Sequence, residues 1–135
     1  MADVSVTATS VAPGTDTQYA DGFLGASVTA GQTVYLDTST STYKLADANA
    51  SSTTANAAGI AMNGGASGQP VKVAIGGSIN PGFSVTTGSV YVLSATAGGI
   101  APVADLASGH YPVIVGIGVS ATSLKLSMFK GGVPV

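Results

Sequence analysis

Polar and apolar residues alternate along much of this chain, which is the pattern of a β-strand with one exposed face. The alternation begins near the N-terminus, where Val4 and Val6 are interleaved with Ser5 and Thr7. Further along, short runs of Val, Ile, Thr and Tyr are separated by Gly, Ser, Asn and Pro, residues that favour turns. The pattern therefore predicts many short strands joined by tight turns.

One phrase occurs twice in the chain. "SVTAGQTVYL" occupies residues 27–36, and "SVTTGSVYVL" occupies 84–93, 57 positions later. Gly-Ile follows at 59–60 and again at 116–117, and a Gly pair closes each copy, at 76–77 and 131–132. Between the copies, "SINPGF" (78–83) contains Asn-Pro-Gly, which is typical of a turn. The repeat predicts two similar halves, about 27–77 and 84–132.

Composition favours β structure over helix. Only 7% of the residues are charged, against about 25% in ordinary globular proteins, and neither Glu nor Arg occurs. Helices usually place Glu, Arg and Lys on their exposed faces, so this chain is poorly suited to long helices. We therefore predict an all-β fold: a compact β-sandwich or barrel built from the two tandem halves. We expect residues 1–25 to form an extended N-terminal arm and connector, and 26–135 to form the body.

Charge and hydrophobicity narrow the possible partners. A net charge of −2 without Arg argues against nucleic-acid binding, which needs clustered cations. The longest apolar run, "VIVGIGV" (113–119), is too short to cross a bilayer, so we expect no membrane partner. No basic region followed by an apolar block opens the chain, so we expect synthesis in a cytoplasm without standard export. So little charge favours assembly with copies or a partner over a monomer covered in Ser, Thr and Asn.

Residues that could perform chemistry are few and scattered. The chain has no Cys, one histidine (His110) and six Asp residues without a calcium-loop spacing. The Gly-rich stretches lack the Lys and the following helix of a phosphate-binding loop. We expect no catalytic residue, no cofactor and no metal site. A small hydrolase that uses His110 as a general base is the enzymatic alternative.

The N-terminal segment holds the candidate contact residues. Val4, Val6, Tyr19, Phe23 and Leu24 place apolar side chains before or at the start of the repeated body. Such an arm could pair with the sheet edge of a neighbouring molecule. It could equally fold back and cover its own core, and the sequence leaves both alternatives open. We predict a protein interface at these five residues.

The rhythm of the body resembles a known group of proteins. A Gly turn, then "VYL" or "VYVL", a loop, "GI" and a closing strand such as "VKV" resemble capsid decoration (cement) proteins of tailed bacteriophages and the related base domains of head fibres. The resemblance covers residues 26–130 and implies a β-rich virion protein on the capsid exterior, made in the host cytoplasm. It further implies that the major capsid protein is the partner and that the chain forms a homo-oligomer, with a trimer favoured.

Two functions follow as hypotheses. The first is a decoration protein that reinforces an assembled capsid through many copies, each burying a modest area. The alternative is a head- or tail-fibre module, or adhesin, that binds host glycans through exposed aromatic side chains. Five Tyr and no Trp allow this alternative.

Overall fold

The computed structural model describes residues 3–49, 51 and 53–130. Within this part the chain forms ten strands and two short 3-10 turns, Ala8–Ser10 and Val103–Asp105. The strands are β1 (Val11–Pro13), β2 (Gln18–Phe23), β3 (Thr33–Asp37), β4 (Thr42–Leu45), β5 (Ala57–Ala61), β6 (Pro70–Pro81), β7 (Val90–Leu93), β8 (Ile100–Pro102), β9 (Val113–Ser120) and β10 (Ser123–Lys130). The all-β prediction is confirmed. Residues 131 and 132, which close the predicted second half, lie outside the described part.

All ten strands join one antiparallel sheet that curls into a half-barrel. The main order is β4-β3-β5-β6-β10-β9-β7-β8, and β1 and β2 also pair with β6. Strand β6 is the longest, with 12 residues, and its neighbours divide its length between them. Its first part pairs with β2 and β5, and its last part pairs with β1 and β10. The sequence predicted a turn at 78–83, but β6 continues through it to Pro81.

The two halves pair their strands in the same register. Thr33 lies opposite Ile60 in the first half, and their counterparts 57 positions later, Val90 and Ile117, lie opposite each other in the second. In both strand pairs the register also shifts at the same place, after Val34 in the first half and after its counterpart Tyr91 in the second. A repeat in the sequence thus corresponds to a repeat in hydrogen bonding, with β6 shared by both halves.

The N-terminal segment closes a gap in the second half. In the first half, Gly25 lies just after β2, and its N–H donates to the carbonyl of Tyr43 on β4 (2.8 Å). The end of β2 therefore meets β4 directly. The counterparts of these two residues are Gly82 and Ile100, and the segment 4–7 lies between them. Val4 N–H donates to the Ile100 carbonyl (2.9 Å), and Thr7 N–H donates to the Gly82 carbonyl (2.8 Å). The predicted arm therefore folds back on its own body.

Apolar side chains form two core clusters. The smaller lies inside the first half and includes Leu24, Val28, Val34, Tyr43 and Val73. The larger runs from the outer side of the first half into the second half, and contains Tyr35, Ile60, Ile79, Leu93, Ile100, Val115 and Leu124 among others. Because the larger cluster takes residues from both halves, each half stabilises the other.

Candidate interaction surface

Strand β2 presents aromatic side chains at the edge of the sheet. It pairs with β6 from Gln18 to Phe23, and beyond the single bridge between Leu24 and Tyr43 no other strand of the described part pairs with it. Phe23 is 57% exposed and Tyr19 is 38% exposed. An edge strand with exposed aromatic side chains offers both unpaired backbone groups and apolar area to a partner.

A shallow groove of about 490 Å³ lies beside Phe23. It is formed by β2, the start of β6 and the turn before β6, and is lined by Asp21, Gly22, Phe23, Asn63, Pro70, Val71 and Lys72. Phe23 lies opposite Pro70 across the two strands, which gives the groove an apolar side. Asp21, Asn63 and Lys72 give it polar groups at the rim. The groove thus combines one large apolar contact with groups that can orient a ligand.

Hydrogen bonds from one side chain fix the far side of the groove. The Asn63 side chain accepts from the Lys72 N–H (2.8 Å) and donates to the Pro70 carbonyl (3.1 Å). The turn before β6 is therefore tied to the strand that it enters. The interface predicted from the sequence did not include Asn63, Pro70 or Lys72. The alternation in "QPVKV" (69–73) places Pro70 and Lys72 on the face opposite Val71 and Val73, and this was the available signal.

Two lysines connect the N-terminal strands to the body. Lys72 Nζ lies 4.0 Å from the Asp21 carboxylate and 4.9 Å from the centroid of the Tyr19 ring, a cation–π distance. A second lysine, Lys125 on β10, lies 3.8 Å from Asp16. The Asp16 carboxylate also accepts a hydrogen bond from Ser78 N–H (2.9 Å), and this bond lowers its pKa, with Lys125 contributing less. The contacts of Lys72 thus join Tyr19 and Asp21 to β6, and those of Asp16 join the turn before β2 to β6 and β10.

Val4 and Val6 contribute to the body of the protein itself. Val4 is half-buried and packs against the larger core cluster. Val6, also half-buried, lies over Gly31 and Gly82, where an added Cβ would meet its Cγ1 atom at 2.5 and 3.2 Å. Both glycines have positive φ, 92° and 82°. The segment 4–6 therefore fits closely over two glycine turns, and its contacts are intramolecular.

Leu24 lies in the core and not on the surface. It is completely buried, in the smaller cluster with Val28, Val34 and Tyr43. The assignment of Leu24 to a protein interface is therefore corrected. Phe23 and Leu24 form a small apolar pair in a polar stretch of sequence. Successive residues of an extended chain point to opposite faces, however, so only Phe23 faces outward.

His110 occupies a turn between the second 3-10 turn and β9. Its Nδ1 accepts a hydrogen bond from the Ala107 N–H at 3.3 Å, three residues earlier, so the ring closes its own loop. In the described part of the chain, no three His or Asp side chains come close enough together to hold a metal ion. The geometry thus gives His110 a role in the local turn.

No protein-family model matches the sequence, and no curated protein gives a significant match. Among residues 3–49, 51 and 53–130, no helix has the length and apolar character needed to cross a membrane.

Proposed function

We propose that this chain is a structural virion protein that binds the outer surface of an assembled tailed-phage capsid and stabilises the shell without catalysis. The partner is the major capsid protein, and the chain acts in the virion after synthesis in the host cytoplasm. The observation that carries the proposal is the exposed Phe23 beside the groove on edge strand β2. Together with the resemblance of residues 26–130 to decoration proteins, it gives the proposed activity a location.

The physical properties of the surface support this function. With 7% charged residues, the chain can cover another protein without burying many charges, which would be costly. A groove of this size gives one copy only modest binding energy. On a capsid, however, many equivalent sites are present, and an oligomeric decoration protein gains from every additional attached copy.

Binding to purified capsids tests the proposal. Capsids of the phage that encodes the chain are mixed with it, sedimented and analysed for bound protein, and their melting is followed by calorimetry. We expect saturable binding and a higher capsid melting temperature. Phe23→Ser should weaken binding at least tenfold, because it removes the main apolar contact. Ile75→Ser is the matched control, since Ile75 is 42% exposed on β6 outside the groove. Saturable binding that Phe23→Ser leaves unchanged would remove the groove from the proposal.

The groove also supports the second candidate, a fibre module or adhesin that binds host glycans. Sugars stack on exposed aromatic rings and form hydrogen bonds with polar groups at the rim, and Phe23 with Asp21 and Asn63 offers both. A glycan array separates the two functions. Clear glycan binding that is lost in Phe23→Ser, with no binding to capsids, would favour the adhesin.

A further inference from the structure

One side of the first half is covered, while the same side of the second half is open. On the covered side of the first half, Thr33, Ala46, Ala57 and Ile60 have no exposed surface. Their counterparts 57 positions later are all partly exposed, and we call them the outer wall of the second half: Val90, Val103, Ile114 and Ile117. Ile117 is 44% exposed and Val103 is 47% exposed. Val119 and Phe129, 48% and 67% exposed, extend this apolar surface.

The second half itself covers the first half. Its β7–β8 turn (94–99) lies against the first half, where Thr33 N–H donates to the Gly98 carbonyl (3.0 Å) and Gly98 N–H donates to the Ala46 carbonyl (2.7 Å). Leu93, which precedes this turn, is 1% exposed and belongs to the same core cluster as Ile60. A turn and one leucine of the second half thus form part of the surface that covers the first.

The first half carries its own version of this turn, and that version is exposed. The β3–β4 turn (38–41) is open to solvent, and Leu36, the counterpart of the buried Leu93, is 40% exposed. We call Leu36 and residues 38–41 the turn end. Ser41 is the counterpart of Gly98, and both have positive φ, 56° and 78°. The backbone of the exposed turn therefore matches, at this residue, the turn that already covers one half of the chain.

We infer that a second copy of this chain places its turn end on the outer wall of the first copy, and so repeats between molecules the contact that joins the two halves within one. Ser41 of the second copy then lies against Val90 and Val103, as Gly98 lies against Thr33 and Ala46. The contact joins two different surfaces, so each copy keeps one free wall and one free turn end. Such an interface closes into a ring or extends into a filament. The inference concerns the free chain and goes beyond the proposed binding to capsids.

Complementary variants test this arrangement in solution. Ile117→Asp introduces a negative charge on the outer wall, and Thr38→Glu introduces a negative charge on the turn end, so the two altered surfaces repel each other. We expect the wild-type chain to sediment as a multiple of its 13.0 kDa mass and each variant alone to sediment as a monomer. An equimolar mixture should form a species of two chains. One intact wall then meets one intact turn end, and neither remaining surface can bind another copy.

Two controls keep the result interpretable. Both substitutions are at exposed positions, and a cooperative thermal unfolding transition shows that each variant folds; Val103→Asp replaces Ile117→Asp if that variant unfolds. Phe23→Ser lies outside both surfaces and should assemble like the wild type. A wild-type chain that stays monomeric up to millimolar concentration overturns the inference. A mixture that stays monomeric, or a wall variant that still assembles alone, also overturns it. None of these results depends on whether the chain binds capsids.

Discussion

Ile60 and Ile117 occupy the same position in the two halves of the chain, yet Ile60 is completely buried and Ile117 is 44% exposed. Both lie opposite equivalent partners, Thr33 and Val90, in equivalent strand pairs. The pairing on this side is therefore the same in both halves, whereas on the other side Ile60 lies opposite the buried Ala74 and Ile117 lies opposite the exposed Lys125. The difference arises because the second half covers the first, while the described chain supplies nothing to cover the second.

Replacing these two isoleucines should have unequal effects on stability. Ile60→Ala leaves a cavity in the larger core cluster and should lower the free energy of unfolding by about 2–5 kcal/mol. Ile117→Ala removes a partly solvated side chain and should change it by roughly 0.5 kcal/mol or less in dilute solution. Chemical denaturation of both variants measures the difference. Equal losses would mean that the two positions are buried alike.

Gly31 and Gly88 provide a second comparison within the repeat. Both have positive φ, 92° and 85°, so an alanine at either position should cost about 1–2 kcal/mol through its backbone conformation. A Cβ at Gly31 would also meet Val6 at 2.5 Å, whereas nothing lies within 4 Å at Gly88. We therefore expect Gly31→Ala to be the more destabilising and to speed proteolysis of the N-terminal segment. A Gly88→Ala variant that is equally susceptible to proteolysis in this segment would contradict the position of Val6.

Asp37 should make the fold sensitive to acid. The hydrogen bond from Lys44 Nζ (2.7 Å), followed by those from the Ser39 hydroxyl and N–H, lowers the Asp37 pKa from 3.8 to about 2. A carboxylate whose pKa is lower in the folded state stabilises the fold above its unfolded pKa and loses this effect as the pH falls. The loss therefore occurs between about pH 4 and pH 2. The melting temperature of the wild type should fall over this range, and Asp37→Asn should show a smaller fall. An identical pH dependence in the variant would exclude this contribution.

Removal of residues 1–9 should loosen the second half more than the first. The segment supplies the hydrogen bonds from Val4 to Ile100 and from Thr7 to Gly82, each worth about 0.5–1.5 kcal/mol. We expect the shortened chain to lose about 1–3 kcal/mol of unfolding free energy. Hydrogen exchange should become faster in β8 and unchanged in β4, where Gly25 closes the first half directly. Uniform exchange in both halves would argue against a closing role for the segment.

The repeated phrase predicted the turns and strand pairings that the two halves share, because these depend on residues that are close together in the sequence. Positions such as Gly31 and Gly88 require a left-handed conformation, and the flanking β-formers alternate, so both halves adopt the same turn and strand pairing. The all-β class followed from the same alternation and from the scarcity of helix-forming charged residues.

The arrangement of the halves depends on long-range contacts that a single sequence does not display. Asn80-Pro81-Gly82 favours a turn locally, yet β1 and β10 pair with the end of β6 and keep it extended to Pro81. The N-terminal arm folds back because a gap between Gly82 and Ile100 accepts its backbone hydrogen bonds, and this gap is not visible in the sequence. Leu24 is buried for a similar reason, since Tyr43 and Val73 meet it from distant strands.

The proposed binding to capsids is tested most directly by a cryo-EM reconstruction of phage capsids prepared with and without this protein. Capsid binding predicts added density on the outer surface of the shell, into which the half-barrel fits with β2 and Phe23 facing the major capsid protein. Density that is limited to tail fibres, or particles that are identical with and without the chain, would contradict it.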